Sequence, residues 1–355
     1  MSISSRHGLL VIGAGLSLGI LGVLLVVLGN PTNSGICVSC FVENSAGALG
    51  LHDNPRMQYL RPELIGFVLG ALVMALGGRE FRSRGGSAPA LRLFSGIFMI
   101  VGCAVFIGCP IKLFFRLLAG DLSTLAGLVG LVAGVWLGIK GLAQGVDLGG
   151  SHRQTGGSGL WVPLSFVLLL GFVLWPPGFL LVSSRGSATQ AAPVLWALGI
   201  GLLLGALAQR SRFCITGSIR DSLLMGYRAP LLWGLVAFIL GGLVTSLATG
   251  QFQPGYYGQP GAHTDILWSF LGMLLVGLIA VLIGGCPFRQ LIKAGEGDAD
   301  AGLVVLGMLL GGGLVQSWQI AATSAGVSLY GKIAVLTGLI FVLVNMLLHR
   351  ETLSA

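Results

Sequence analysis

Residues 93–121 read LFSGIFMIVGCAVFIGCPIKLFFRLLAGD, an apolar run that ends in a cysteine, a proline and two cations. Residues 273–298 repeat this arrangement as MLLVGLIAVLIGGCPFRQLIKAGEGD. A long apolar run is typical of a helix that crosses a membrane. Because the same reactive and charged residues follow two such runs, the ends of these spans are candidates for a function beyond helix termination.

The composition predicts a membrane protein along the whole chain. Of its 355 residues 54% are hydrophobic and 9% are charged, whereas a soluble domain carries roughly 25% charged residues. The 59 glycines suit closely packed transmembrane helices. Ten apolar segments approach the length of a span, at about residues 8–29, 62–78, 93–108, 122–146, 160–183, 193–209, 229–249, 265–285, 299–322 and 331–349. We therefore predict an all-α polytopic membrane protein that has the lipid bilayer, and no nucleic acid, as a partner.

Lys and Arg residues predict the orientation of the chain. Arg79, Arg82, Arg84 and Arg92 lie in one short connection, which the positive-inside rule places in the cytoplasm. Alternation from this connection puts both termini, and fourteen of the 20 Lys and Arg residues, on the inner side. We interpret residues 8–29 as a retained first span, because the apolar region of a signal peptide has only about 7–15 residues.

An offset of 177 residues relates the two halves of the chain. It carries Cys37 onto Cys214 and Cys109 onto Cys286. Other matches at this offset keep a glycine, a proline, an aspartate or a positive charge, in the pairs Gly108/Gly285, Pro110/Pro287, Gly120/Gly297, Asp121/Asp298, Lys112/Arg289 and Arg116/Lys293. We predict an internal duplication into residues 1–177 and 178–355. Five spans in each half make the repeat inverted, whereas an even number of true spans would make it parallel.

Each cysteine motif predicts a short re-entrant half-helix. In the first copy Cys109 lies near the N-cap, Pro110 suits the first helical position, and Gly120 ends the half-helix. Its unpaired N–H groups attract anions, and neighbouring cations deepen that potential. The alternative is that the motif only ends a span while its cations reach the lipid headgroups, but the duplication favours a functional role.

Half-helices at the four motifs would meet near the bilayer midplane and form a constriction. The predicted substrate pathway consists of Cys37, Cys109, Cys214 and Cys286. Accessory roles are predicted for Cys40, Lys112, Arg116, Arg212, Arg289 and Lys293. Cys103 has no match at the offset and is expected to be a buried packing residue. No spacing of Cys and His predicts a metal site, no P-loop occurs, and neither a cofactor nor a catalytic residue is expected.

Several motifs carry a resemblance to a known family. GNPTNSGICVSCFVENSAGALGLH, QRSRFCITGSIRD and GGCPFRQLIKAGEGDAD resemble segments of the YeeE/YedE membrane proteins, and most closely the YedE-related branch of selenium metabolism. The resemblance implies a bacterial inner-membrane transporter and a small cytosolic sulfurtransferase-like partner. In the thiosulfate-importing relatives, cysteine thiols pass the ion along a narrow path. Cys37, Cys109 and Cys286 match those cysteines, and Cys214 is the fourth motif cysteine.

Two hypotheses of function follow. The first is a transporter, and not an enzyme, that imports a selenium- or sulfur-containing anion through a cysteine-lined constriction. The alternative is a membrane-bound thiol oxidoreductase or sulfurtransferase that uses Cys37 and Cys40, whose C-x-x-C spacing is that of a redox pair. The pair of cysteines fits the selenium branch better than a thiosulfate importer.

Overall fold

The computed structural model describes residues 6–146 and 150–349. Both ends of the chain, which were predicted to be cytoplasmic, lie outside the described residues. Nearly all of its regular structure is helical. In chain order the helices are α1 Arg6–Val27, α2 Val38–Ala48, α3 Pro62–Gly77, α4 Pro89–Phe106, α5 Pro110–Leu118, α6 Leu125–Ala143, α7 Gly156–Leu174, α8 Val194–Ser211, α9 Ile215–Met225, α10 Pro230–Ala248, α11 Ile266–Leu282, α12 Pro287–Gly295, α13 Ala299–Ser317 and α14 Leu329–Leu348. Two short strands, β1 (Arg84–Gly85) and β2 (His152–Arg153), pair antiparallel.

The long helices confirm the predicted all-α polytopic membrane architecture. Within the described residues, nine helical segments are long and apolar enough to cross a membrane, and α3 is a shorter apolar helix of 16 residues. Each predicted apolar segment overlaps one long helix. The segment predicted at 160–183 was wrong at its end, because α7 stops at Leu174 before the sequence WPPG. Consecutive prolines remove backbone donors and disfavour helical conformation in the residue before them.

Four short helices, α2, α5, α9 and α12, interrupt the long ones. Each begins directly after a motif cysteine, and Pro110 and Pro287 occupy the first positions of α5 and α12. The backbone turns after these two helices at Gly120 and Gly297, whose φ angles are +93° and +95°, a conformation that glycine adopts without steric cost. The predicted half-helices are therefore present, with equivalent starts and ends.

Glycines allow long helices of the two halves to pack at backbone contact. Gly130 of α6 lies against the carbonyl oxygen of Phe270 in α11, and Gly307 of α13 lies against that of Leu93 in α4. A Cβ atom at either glycine would overlap the facing oxygen. The two contacts are equivalent under the 177-residue offset, as expected of related halves that exchange places in the packing.

Helices α4 and α11, which occupy equivalent places in the two halves, run antiparallel. A Cβ atom at Gly102 would lie 2.6 Å from the carbonyl oxygen of Gly272. At the other end of the contact, Arg92 Nη1 donates to the carbonyl oxygen of Ile283 (3.3 Å). This is the direction that halves of opposite orientation require. The inverted repeat, its boundary at residue 177 and the cytoplasmic termini stay predictions.

Candidate functional site

The four cysteines predicted to line the pathway occupy the same local position. Cys37, Cys109, Cys214 and Cys286 are the N-caps of α2, α5, α9 and α12, each with extended backbone. All four thiols are buried. An N-cap places its side chain beside the unpaired N–H groups of the first helical turn, so each thiol shares its surroundings with an anion-attracting helix start.

Cysteines of the first half form one cluster. The Sγ atoms of Cys37 and Cys40 are 2.6 Å apart, and Cys109 also lies against Cys37. Ser39 Oγ lies 3.4 Å from Cys37 Sγ, so a hydroxyl accompanies the thiols. Cys40, predicted to be accessory, is therefore an immediate neighbour of the pathway cysteine. Cys103 is buried as well, and its thiol lies against Ser39.

Cysteines of the second half form an equivalent pair. The Sγ atoms of Cys214 and Cys286 are 3.5 Å apart. Thr216 Oγ1 lies 3.3 Å from Cys214 Sγ, and Thr216 stands at the 177-residue offset from Ser39. The structure thus groups the four thiols into two pairs, one in each half, with a hydroxyl beside each pair. The hydroxyls were missed at the sequence level, although the offset relates them.

A cavity of about 350 Å³ reaches the second pair. Cys214, Thr216 and Gly285 contribute to its wall, together with the charged residues Arg212 and Arg289. Its remaining lining comes from the start of α1, the ends of α8 and α11, the body of α9 and the start of α10. The Cys214 thiol and two guanidinium groups therefore face a space large enough for a small ion.

The predicted accessory cations differ in their partners. Arg116 Nε donates to Asp121 Oδ2 (2.7 Å) in a fully buried ion pair, and Lys293 Nζ lies 3.6 Å from Asp298 Oδ2. These two cations therefore have carboxylate partners within the fold, as buried cations generally need a compensating charge. The interpretation as lipid-directed cations fails for Arg116, whose side chain is 1% exposed.

Arg289 and Arg212 share a carboxylate that sequence patterns did not single out. Arg289 Nη1 lies 3.1 Å from Glu296 Oε1, and Arg212 Nη1 donates to the other oxygen of Glu296. Arg212 also pairs with Glu80 (3.1 Å), which binds Arg210 as well (2.6 Å). Donation from Gln209, together with these guanidinium groups, holds the pKa of Glu80 below its usual range. These cations are therefore neutralised beside the cavity.

Lys112 lies in the first cluster. Its side chain is buried, and its Nζ lies 3.9 Å from Cys40 Sγ. Among the residues that the structure describes, no group of three or more His, Cys, Asp or Glu side chains has an arrangement suited to a metal ion. Thiols, helix starts, Lys112 and the buried Arg61, whose Nη1 has no hydrogen-bond partner, are thus the groups that could meet a ligand in this half.

Part of the sequence matches a known protein family. Residues 210–352, which include Cys214, Cys286 and α12, match the family described as "Sulphur transport". Over part of its length the chain is similar to the YeeE/YedE proteins. It is 30% identical over 138 residues to the probable transporter YedE of Escherichia coli K12, a match that covers 38% of this chain and 31% of the relative.

Two further YeeE/YedE relatives are similar over comparable lengths. The probable transporter YedE of Salmonella typhimurium is 29% identical over 152 residues, which cover 42% of this chain and 34% of the relative. The thiosulfate transporter TsuA of Escherichia coli K12 is 32% identical over 107 residues, 29% of each chain. The matches thus span about a third of the length of these curated relatives.

Proposed function

We propose that this chain transports a sulfur- or selenium-containing anion across the bacterial inner membrane into the cytoplasm. The observation that carries the proposal is the pair of buried thiols, Cys214 and Cys286, 3.5 Å apart at two helix starts. The sulphur-transport match over residues 210–352 and the resemblance to a thiosulfate transporter support the same chemistry.

Weak contacts suit a permeating ion better than a tight cage. Backbone N–H groups at a helix start hold oxyanion oxygens, while a neutral thiol donates only weakly to a polarizable sulfur or selenium atom. Conduction requires binding that is favourable enough to enter and weak enough to leave. Two cysteine pairs in halves of opposite orientation would supply successive weak sites, Cys37 with Cys109 and then Cys214 with Cys286.

Uptake of labelled thiosulfate and selenite into a transport-deficient strain tests this proposal. We expect Cys109→Ser and Cys286→Ser each to reduce uptake by about tenfold or more, which corresponds to about 1.4 kcal/mol at the limiting barrier. Serine is a good N-cap, so both variants keep the half-helix. Cys103→Ala removes a buried thiol that lies against Ser39 but has no repeat partner, and it should reduce uptake less than either serine variant.

Normal uptake in both serine variants would contradict the cysteine pathway. The competition between the two labelled ions also decides between a thiosulfate substrate and the selenium branch. The same strain, with and without a co-expressed small sulfurtransferase-like protein, tests whether such a partner raises uptake by consuming the imported ion.

The alternative is a thiol oxidoreductase or sulfurtransferase, which the 2.6 Å separation of Cys37 Sγ and Cys40 Sγ favours. In that mechanism one thiolate attacks a partner's disulfide, the leaving thiolate departs, and the second cysteine resolves the mixed disulfide. Cys40→Ser would then accumulate a covalent adduct on Cys37. An importer predicts no such adduct and an uptake signal that depends on Cys109 and Cys286.

A further inference from the structure

Four cations occupy related positions on the two half-helices that follow Gly-Cys-Pro. Arg116 pairs with Asp121 at 2.7 Å, Arg289 with Glu296 at 3.1 Å, and Lys293 with Asp298 at 3.6 Å. Lys112 is the counterpart of Arg289 at the 177-residue offset. Among the described residues, no carboxylate oxygen lies within 4.0 Å of Lys112 Nζ.

The surroundings of Lys112 exclude bulk water as its partner. Its side chain is 3% exposed, and its hydrogen-bond partner is Cys40 Sγ at 3.9 Å. Gly261, in the connection between α10 and α11, covers the ammonium group closely, since a Cβ atom there would lie 3.2 Å from Nζ. The carboxylate of Glu43, on the same half-helix as Cys40, lies beyond 4.0 Å from Lys112 Nζ and interacts with it only at longer range, and it accepts a hydrogen bond from Gln316 (2.5 Å).

The sequence explains why Lys112 and Arg289 differ. Arg289 meets the carboxylate of Glu296, seven residues further on, at the end of α12. The equivalent residue at the end of α5 is Ala119, which is 6% exposed and has no charge to offer. The duplication has therefore kept the cation in both halves and the neutralising carboxylate in one.

A buried ammonium group without an opposite charge is strongly unfavourable. Such a group is stabilised when an anion enters its site, and the cluster of Cys37, Cys40 and Cys109 lies beside it. An anion that carries both oxygen and a polarizable chalcogen would satisfy both kinds of neighbour, with charged oxygen at nitrogen and sulfur or selenium at the thiols.

We propose that Lys112 is the anion-binding residue of this protein and holds a small sulfur or selenium oxyanion against the Cys37/Cys40 thiols. The proposal rests on the proposed transport function and names the residue that selects a negatively charged substrate. Arg289, neutralised by Glu296, has no such role, so the ion is bound more tightly in the first half than in the second.

Equilibrium binding of labelled thiosulfate and of labelled selenite to the purified full chain in lipid nanodiscs tests this proposal. We expect Lys112→Met to weaken binding by about tenfold or more, the usual effect of losing one charge-assisted hydrogen bond. Lys112→Arg, which keeps the charge, should stay within about threefold of the natural protein. Lys140→Met is the control for loss of a lysine, because Lys140 lies over the ring of Trp136 outside the site.

A gain of charge gives a second test that leaves Lys112 in place. Ala119→Glu puts a carboxylate seven residues after Lys112, where Glu296 stands relative to Arg289. We expect the new carboxylate to form an ion pair with the Lys112 ammonium group and to weaken anion binding as Lys112→Met does. If Ala119→Glu fails to give a monodisperse protein, the comparison of Lys112→Met with Lys112→Arg decides alone.

Unchanged binding in Lys112→Met would overturn this inference. If that variant instead only slows the alkylation of Cys40 while binding is retained, the partner of Lys112 is a thiolate, which also overturns it. In either case a loss of uptake in Cys286→Ser would leave the proposed function standing. Normal uptake in both cysteine variants would remove the transport pathway, whatever the result for Lys112.

Discussion

The buried ion pair between Arg116 and Asp121 allows a quantitative test of the fold around the first cysteine cluster. Asp121 is fully buried and Arg116 is 1% exposed. The carboxylate accepts from Arg116 Nε (2.7 Å) and from the backbone N–H and hydroxyl of Ser123 (2.9 and 2.6 Å). Asp121→Ala removes all three bonds and leaves a guanidinium group buried without its counter-charge.

The expected magnitude follows from these contacts. Breaking a buried pair by removing one partner costs about 3–5 kcal/mol. Asp121 also caps the short 3-10 turn Leu122–Thr124, and loss of this N-cap costs about 1 kcal/mol. The remaining contacts of Arg116, to the hydroxyl of Ser123 (3.0 Å), the carbonyl oxygen of Phe106 (3.0 Å) and the ring of Phe106 (4.7 Å), do not neutralise its charge. We therefore expect Asp121→Ala to lower the free energy of unfolding by about 4–6 kcal/mol.

Reversible unfolding by SDS in mixed micelles, followed by circular dichroism at neutral pH, measures this change. Asp121→Asn separates the charge from the cap, because an amide still accepts from Ser123, and it should lose about 3 kcal/mol. Arg84→Ala is the matched control, since its pair with Asp298 is 39% exposed on the arginine side and should be worth at most about 1 kcal/mol.

If Asp121→Ala and Arg84→Ala lower the free energy of unfolding equally, within about 1 kcal/mol, the buried pair does not stabilise the fold more than an exposed one. A double variant provides a further check. Arg116→Met combined with Asp121→Asn removes both charges and should recover much of the stability lost in Asp121→Ala. A double variant less stable than Asp121→Ala would mean that Arg116 stabilises the fold by contacts other than its charge.

Two further predictions concern packing and strain. Gly130→Leu should prevent close contact of α6 with α11 and lower the free energy of unfolding by more than about 3 kcal/mol. Gly171→Leu should be nearly neutral, because a Cβ atom at Gly171 meets nothing within 4 Å. If the two variants are equally stable in an SDS titration, the close packing of α6 on α11 is contradicted. Arg212 has φ +58°, so Arg212→Gly should be about 1 kcal/mol more stable than Arg212→Ala, although both lose the pairs with Glu80 and Glu296. An alanine variant as stable as the glycine variant would show that this residue stores no strain.

Local features of the sequence were sufficient for much of the fold. Pro110 starts α5 and Gly120 turns the chain after it, because backbone limits on proline and glycine act within a few residues. The end of α7 shows the limit of hydropathy, since residues 175–183 remain apolar in part but contain two prolines.

Local sequence patterns did not predict which distant residues contact each other. The offset indicated that Lys112 and Arg289 are equivalent, and both were predicted to serve an anion site. Their equivalence ends at Glu296, whose counterpart is Ala119. The sequence contained this difference, but only the observed ion pair shows that it matters.

The sequence by itself determined the membrane class, the approximate places of the apolar helices and the four half-helices that follow a cysteine, because hydropathy and capping depend on residues close in the chain. Only the tertiary structure decided which thiols form pairs and which of the half-helix cations has no carboxylate. Those facts depend on contacts between distant segments, such as Glu80 with Arg212 and Cys214 with Cys286. In a low-dielectric interior, such contacts decide whether a buried charge is neutralised by another residue or remains able to bind a ligand.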